Sequence, residues 1–553
     1  MVALGRGDPE VINALRNGYP RSILHQDVQT LARKCKERLS PLYQGTIGLS
    51  LFPDADSAGA CEAYLTSASI NGMNASKASL VRKFKFTSDA DSKINERCND
   101  RGIDALWAVV YPESASSSAA SFWRLTGVGV SSRRAEAYLL QMERMVAVEA
   151  SKMDPESPRN LETRVHELVR QRIAAVMNSP APYSKNLERP SSSDVFLFPS
   201  GMSAIFNVHR MLLQWRQGES VVLGFPYELT LKMMQTYGPS YKFLSSGSSA
   251  DIDALEQYLV RRRQAGCTIF KVQAIWCECP SNPLLWTPDL QRVRRLADEH
   301  DLVVVVDDTI GTFANVDVLD VADVVISSLT KSFNGFADVL AGSAVFNPSS
   351  RHYRDLKTRL NASYVNNLYV YDAIRLELNS RTFLERVACM NETAEYLVDY
   401  LRSLLARGAR KSSLTQSCGR SWDHILQAIH FPKGSPSMCN YTQQMRPATA
   451  EFTPGYGCLF TIEFKTVDMA ATFFDALEFN KGPSLGADFT LAQPYVQMVL
   501  QREKDWAASH GVRETIIRVS VGLEDKDFLL RRLQCALDAA RMPASEFAVS
   551  AVL

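Results

Sequence analysis

Net charge is almost absent from this chain of 553 residues, in which 61 Lys and Arg stand against 60 Asp and Glu. With no basic field to attract a polyanion, neither nucleic acid nor an anionic membrane surface is an expected partner. Cysteine is sparse and unpatterned. Eleven of them, odd in number and without a repeated spacing, do not form a disulfide framework and point to a reducing compartment. The closest pair, Cys277 and Cys279, falls in the apolar stretch FKVQAIWCECP, which reads as a buried strand rather than a metal site. The eight histidines show no HExxH and no paired Cys/His spacing, so a zinc enzyme is not expected. Long hydrophobic runs are missing too: the most continuous, Leu302 to Val306, falls far short of the roughly 20 residues of a spanning helix. The N-terminal MVALGRGDPEVINALRNGYP carries charges and glycine where a secretion signal needs an unbroken apolar segment. The expectation is a cytoplasmic protein that handles a small molecule and has no membrane or nucleic-acid partner.

What is present has the proportions of a globular protein, 46% hydrophobic and 22% charged. Residues 1–148 mix short apolar runs with polar loops, including a serine-rich stretch from Ser114 to Ser121, and show no clear period. Residues 149–193 hold one helical segment, LETRVHELVRQRIAAVM, between Pro- and Ser-rich flanks that read as linker. From 194 to 375 the pattern changes to β-branched runs (VFLF, VVLG, IFKVQAIW, LVVVVD, VVISS, SAVF) alternating with helices, the signature of a mostly parallel sheet. In one such helix Ile252, Leu255 and Leu259 share a face; in another Leu290, Val293 and Ala297 do. The expected fold class is α/β, with a C-terminal α+β domain over 376–553 in which GCLFTIEF and ETIIRVSVG are strands. Ala406 to Pro454, rich in Gly, Ser and Pro, reads as loop-dominated.

Three motifs in that core are able to carry chemistry. In FPSGMSAIFNVHR a strand runs into Ser200-Gly201-Met202 and then a helix, and a glycine at a helix start lets backbone N–H groups face an anion. In VVVVDDTIG, Asp307 and Asp308 end a strand apolar on both faces, where α/β sheets bind ligands. In VVISSLTKSFNG, Ser328, Thr330 and Lys331 crowd the next strand end. Each taken alone is also a plain turn, a solvated strand end or a surface lysine.

Their order resembles the cofactor ligands of fold-type I pyridoxal-phosphate enzymes. The stretches VSSRRAEAYL, FPSGMSAIFNVHR, GFPYELTLK, CECPSNPLL, VVDDTIGTF, SSLTKSFNG, GPSLGADFTLAQPY and IIRVSVGLED are similar to the Cys/Met-metabolism enzymes of that group, in particular to fungal cystathionine γ-synthase-like enzymes. The resemblance implies pyridoxal 5'-phosphate as cofactor and Lys331 as its Schiff-base lysine. It implies that Asp307 pairs with the pyridine nitrogen, that Tyr227 stacks on the ring, and that Gly201, Met202, Ser328 and Thr330 cradle the phosphate. Asn282 falls near the ring's 3-oxygen. Ser132 and Arg133 match an arm that reaches the phosphate of a neighbouring subunit, which implies a homodimer or homotetramer with shared active sites. Arg518 and Ser484 match the grip on the substrate α-carboxylate.

Phe489 replaces a glutamate that many bacterial and animal relatives place near the second substrate's amino group. Losing that carboxylate opens the site to a nucleophile that is not an amino acid. The implied reaction is γ-substitution on an O-acyl-L-homoserine such as the O-acetyl ester, with either a thiol such as L-cysteine or a carbon nucleophile such as an enolate. The alternative on the same scaffold is a cystathionine γ- or β-lyase.

Overall fold

A computed structural model describes residues 24–67, 79–88, 105–150, 162–179, 188–264, 271–410 and 422–541, with four isolated positions nearer the N-terminus. The N-terminal part is built on four antiparallel strands, β1 (Ile47–Phe52), β2 (Arg82–Ser88), β3 (Leu106–Pro112) and β4 (Met145–Glu149), in the order β1-β3-β2-β4. Helices α1 (Gln26–Leu39), α2 (Ala55–Thr66), α3 (Ser116–Thr126) and α4 (Ser132–Leu139) cover it. Leu106, Ala108 and Val110 of β3 pack toward α1 and α4, while Trp107, Val109 and Tyr111 pack toward α2 and α3. β3, buried on both faces, shows no alternation, whereas β2 alternates and β4 is largely exposed, so no one period runs through this region. The serine-rich stretch is mostly helix rather than loop. Ala119, Phe122 and Leu125 are buried along α3, and that packing overrides the weak helix preference of serine.

After helix α5 (Arg164–Met177), whose linker flanks at 151–161 and 180–187 lie outside the described residues, comes a seven-stranded sheet. Its strands are β5 (Val195–Phe198), β6 (Glu219–Leu223), β7 (Tyr241–Leu244), β8 (Val272–Glu278), β9 (Val303–Asp307), β10 (Val324–Ser327) and β11 (Gly342–Phe346), in the order β5-β11-β10-β9-β8-β6-β7. Only β11 runs against the others. Alternate residues feed two cores. Val304, Val306, Ile275 and Val325 meet α5, α8 (Ser249–Gln264) and α9 (Leu290–His300) on one face. On the other, Val303, Val305, Trp276 and Ile326 meet α6 (Gly201–Arg216), α7 (Glu228–Tyr237) and α10 (Tyr353–Ser363).

Helix α11 (Val370–Asn379) leads into α12 (Phe383–Arg410), which begins in the large core at Phe383 and Val387 and continues through Ala394, Leu397 and Leu401 into a third. That third core belongs to a five-stranded sheet, β12-β13-β16-β15-β14, made of β12 (Leu426–His430), β13 (Leu459–Phe464), β14 (Asn480–Lys481), β15 (Leu491–Gln493) and β16 (Ile516–Ser520). The region read as loop from Ala406 to Pro454 thus contains the end of α12, the edge strand β12 and helix α13 (Met438–Gln444). β12 is only half-buried after its first residue, so its sequence lacks the apolar run that marks the central strands. No helix among the described residues is long and apolar enough to cross a membrane.

Phe122 is fully buried between Phe52 and Tyr64. Phe122→Ala is expected to cost roughly 3–5 kcal/mol of unfolding free energy; a urea midpoint equal to the parent's would mean that α3 is not packed as described.

Candidate active site

The C-terminal ends of β6, β8, β9 and β10 open on one cavity of about 120 Å³. Each strand end delivers a side chain. β6 is followed by Gly224, whose φ of 85° turns the chain toward Pro226 and Tyr227, the residue that starts α7. β8 ends at Glu278 and passes through two cis prolines, Cys279-Pro280 and Asn282-Pro283. β9 ends at Asp307, and β10 hands over to Ser328, Thr330 and Lys331. Tyr227, Glu278, Asn282, Asp307, Ser328, Thr330 and Lys331 all line the cavity.

Strand alternation separates the two aspartates. Asp307 faces the cavity, where its Oδ1 accepts the Thr309 N–H at 2.9 Å, and burial raises its pKa. Asp308 turns the other way, toward Ser327, whose hydroxyl donates to it. Asp308 is 1% exposed, and burial, reinforced by the charge of Asp307, pushes its pKa up to about 8.

At the far end of the cavity lies the start of α6. Ser200 caps it, its Oγ accepting the Ser203 N–H at 3.1 Å and donating to the Gly127 carbonyl at 2.9 Å. Gly201 lies so close to β10's exit that a Cβ there would come within 2.7 Å of the Ser328 Cβ. Glycine is required, and it leaves backbone N–H groups of a 16-residue helix facing the cavity. That cradle, with a carboxylate and a tyrosine further along, fits a phosphorylated aromatic ring. Thr330 lines the cavity, but its hydroxyl is engaged by the main chain of Ala341, accepting at 3.0 Å and donating at 3.1 Å.

The opposite wall comes from the C-terminal sheet. Lys331 Nζ donates to Ser484 Oγ at 3.0 Å. On β16, Ile517 and Val519 point into the sheet's own core, which sends Arg518 toward the cavity. Its Nη1 donates to Asn282 Oδ1 at 3.0 Å and its Nη2 to the carbonyls of Pro483 at 2.9 Å and Ser484 at 3.3 Å, while burial lowers its pKa. The Asn282 carboxamide is therefore committed to Arg518 and, through Nδ2, to Tyr495 at 3.4 Å.

Three residues named from the sequence stand apart. Ser132 and Arg133 start α4, and Arg133 is tied within its own chain to the Asp338 carbonyl at 2.7 Å, to the Asp338 carboxylate at 3.3 Å and to Asp372 at 3.1 Å. Phe489 is half-buried outside the cavity, its backbone set against Gly522, where a Cβ would lie 2.4 Å away. Sequence reasoning missed Glu278, whose signal was an acid at the end of the apolar strand VQAIWCE. It also missed the apolar wall of Ile310, Leu340 and Leu485, which carries no chemical mark in sequence.

Residues 185–407 match the family model described as Cys/Met metabolism PLP-dependent enzyme, and residues 27–131 match one described as fungal trans-sulfuration enzyme, N-terminal domain. A protein of Aspergillus violaceofuscus named alanine racemase ungC is 38% identical, over 98% of this chain and 93% of its own length. A cystathionine gamma-synthase of Neurospora crassa is 32% identical, over 98% of this chain and 94% of its own. Among solved structures, cystathionine gamma synthase from Xanthomonas oryzae pv. oryzae shares the fold at a TM-score of 0.53 and 21% identity, covering 68% of this chain and 86% of that one.

Below its folded pKa of about 8, Asp308 holds a proton that the unfolded chain releases near 3.8, so stability falls as pH rises through that window. Asp308→Asn is expected to be more stable than the parent by a margin that widens from pH 3.8 toward pH 8 in urea unfolding; a margin flat with pH would contradict a buried acid here.

Proposed function

The chain belongs to the Cys/Met-metabolism family of PLP-dependent enzymes, and from that membership we propose that it carries out γ-replacement on an O-acyl-L-homoserine. The observation that supports this most is that Lys331, Tyr227 and Arg518, from three separate elements, line one cavity together with Asp307. Pyridoxal phosphate, when bound, supplies an electron sink for charge that develops at the substrate Cα. Asp307 holds the negative charge that keeps a ring nitrogen protonated, and Tyr227 provides the stacking face. Arg518, already oriented by Asn282, presents its guanidinium to the α-carboxylate, a pairing whose planar fork lysine does not reproduce.

Lys331 and Tyr227 are side chains on the cavity walls suited to moving protons, as γ-replacement requires at Cα and Cβ before the acyloxy group leaves Cγ. Ser484 fixes the lysine amine at 3.0 Å. Ile310, Leu340 and Leu485 give the cavity an apolar wall suited to methylene groups. The second substrate is a thiol such as L-cysteine or a stabilised carbon nucleophile. Because Arg133 lies outside this cavity, paired to Asp338 and Asp372, a phosphate role for it belongs to a second copy's site in a homodimer or homotetramer.

A second reading is racemisation at Cα. It is favoured by the 38% identity to the protein named alanine racemase ungC, and it also needs two proton-carrying groups on different walls. Incubation with PLP, O-acetyl-L-homoserine and either L-cysteine or an enolate donor, followed by product mass, is expected to give the γ-substituted amino acid. Keto acid with no second substrate consumed would point to a lyase. L-Alanine turning to α-deuterated D-alanine in heavy water, with no γ-product, would replace the main reading by the second. Arg518→Lys is expected to lower kcat/KM by roughly 10- to 100-fold, mainly through KM, as one charged hydrogen-bonded contact weakens.

A further inference from the structure

Glu278 ends β8 directly in register with Asp307 at the end of β9, and both side chains line the cavity. It is 8% exposed. Two ionised carboxylates side by side in so buried a place oppose one another through repulsion and through loss of hydration. Asp307 is the one whose charge a protonated ring nitrogen requires. Burial, with the charge of Asp307 next, pushes the Glu278 pKa well above the usual carboxylate range.

The hydrogen bond that the Glu278 side chain makes runs from its own strand end to the main chain of a neighbouring wall. Its Oε1 accepts the Tyr227 N–H at 2.7 Å, on the turn between β6 and α7. Four residues further along the same chain, in the loop that β8 runs into, is Asn282. Tyr227 offers the ring-stacking face, and Asn282 orients Arg518. One carboxyl therefore stands at the junction of the segments that carry the stacking residue and the clamp.

We propose that Glu278 is a positioning residue that acts as a neutral hydrogen-bond acceptor, tying the Tyr227 turn to the end of β8, from which the Asn282 loop leaves, so that both walls keep one geometry around the cofactor. Its shape and acceptor oxygens matter; a negative charge does not. A side chain serving only to fill the strand end would leave the cofactor's environment indifferent to such changes.

Two substitutions separate these roles in the full chain reconstituted with pyridoxal phosphate. Glu278→Gln keeps length, neutrality and an acceptor oxygen. Glu278→Asp keeps the acid and withdraws it from the Tyr227 amide by one methylene. The glutamine variant is expected to bind pyridoxal phosphate within roughly threefold of the parent and to reproduce the visible circular dichroism of the bound cofactor. The aspartate variant is expected to bind it about 10-fold more weakly, as one buried hydrogen bond is lost, with an altered dichroic band. An aspartate variant that matches the parent in both readouts overturns the proposal. So does a glutamine variant as impaired as the aspartate one, because charge would then be the requirement. Should the aspartate variant fail to fold, the glutamine isostere still decides, since its loss of the cofactor or of the dichroic band refutes the neutral-acceptor role and its retention of both supports it.

Discussion

A guanidinium buried to 4% exposure holds the two sheets of the catalytic core in relation to each other. Arg518 rises from the middle strand of the C-terminal sheet and donates to Asn282, which belongs to a loop of the large parallel sheet. A charge so placed costs several kcal/mol in lost hydration unless its donors are satisfied, and here they are met by one amide oxygen and two main-chain carbonyls. Those partners lie on both sides of the junction, so the arginine is comfortable only when the two sheets sit together. Nearby, Thr461 of β13 donates to the Pro283 carbonyl at 2.8 Å, and Leu285, Ile310, Leu459 and Leu485 close a small apolar cluster across the same seam. The proposed carboxylate clamp and the assembly of the cavity are one interaction.

That arrangement explains which parts of the molecule were legible in sequence. The central strands of the large sheet are covered on both faces, so they read as apolar, mostly β-branched runs, and residues ending them read as site candidates, whereas the half-buried edge strand β7, YKFL, did not stand out. Asp307, Lys331, Tyr227 and Arg518 were all found this way or through motif resemblance. The antiparallel N-terminal sheet escaped notice because its short strands follow no common pattern: β3 is apolar on both faces, β2 alternates lysine with phenylalanine and β4 is largely exposed, with no repeating βα unit to flag them. β12 and α13 were hidden in a Gly, Ser and Pro-rich region because an edge strand needs few apolar residues.

Side-chain partners were less legible than positions. Asp307 and Asp308 are identical in sequence and opposite in environment, and only the pleat assigns them. Thr330 lines the cavity at a position the resemblance gives to a phosphate ligand, yet its hydroxyl is spent on Ala341. The isolated sequence shows Arg133 as half of an Arg-Arg pair; the fold gives it two acidic partners more than 200 positions away, since its contacts to Asp338 and Asp372 span 205 and 239 residues. Pairings of that separation depend on topology, which local pattern does not encode.

The lysine proposed to hold the cofactor must be held rigidly, and the structure shows what holds its segment. After Lys331 the chain turns at Gly335, with φ at 77°, where a Cβ would fall 1.5 Å from Arg386 Nη1. Arg386 leans from α12 into this turn and donates to the carbonyls of Ser332 at 3.0 Å, Phe333 at 3.1 Å and Asn379 at 2.9 Å. From the other side Gly486 presses on the same segment, its absent Cβ 2.5 Å from the Ser332 nitrogen. Both glycines are thus needed for close approach, one to a side chain and one to the main chain. The helix that spans the large core and the C-terminal core fastens the loop, and the segment that carries Ser484 closes over it. Rigidity at the lysine is therefore a product of the same junction that Arg518 secures, and separating the two sheets would free both residues at once.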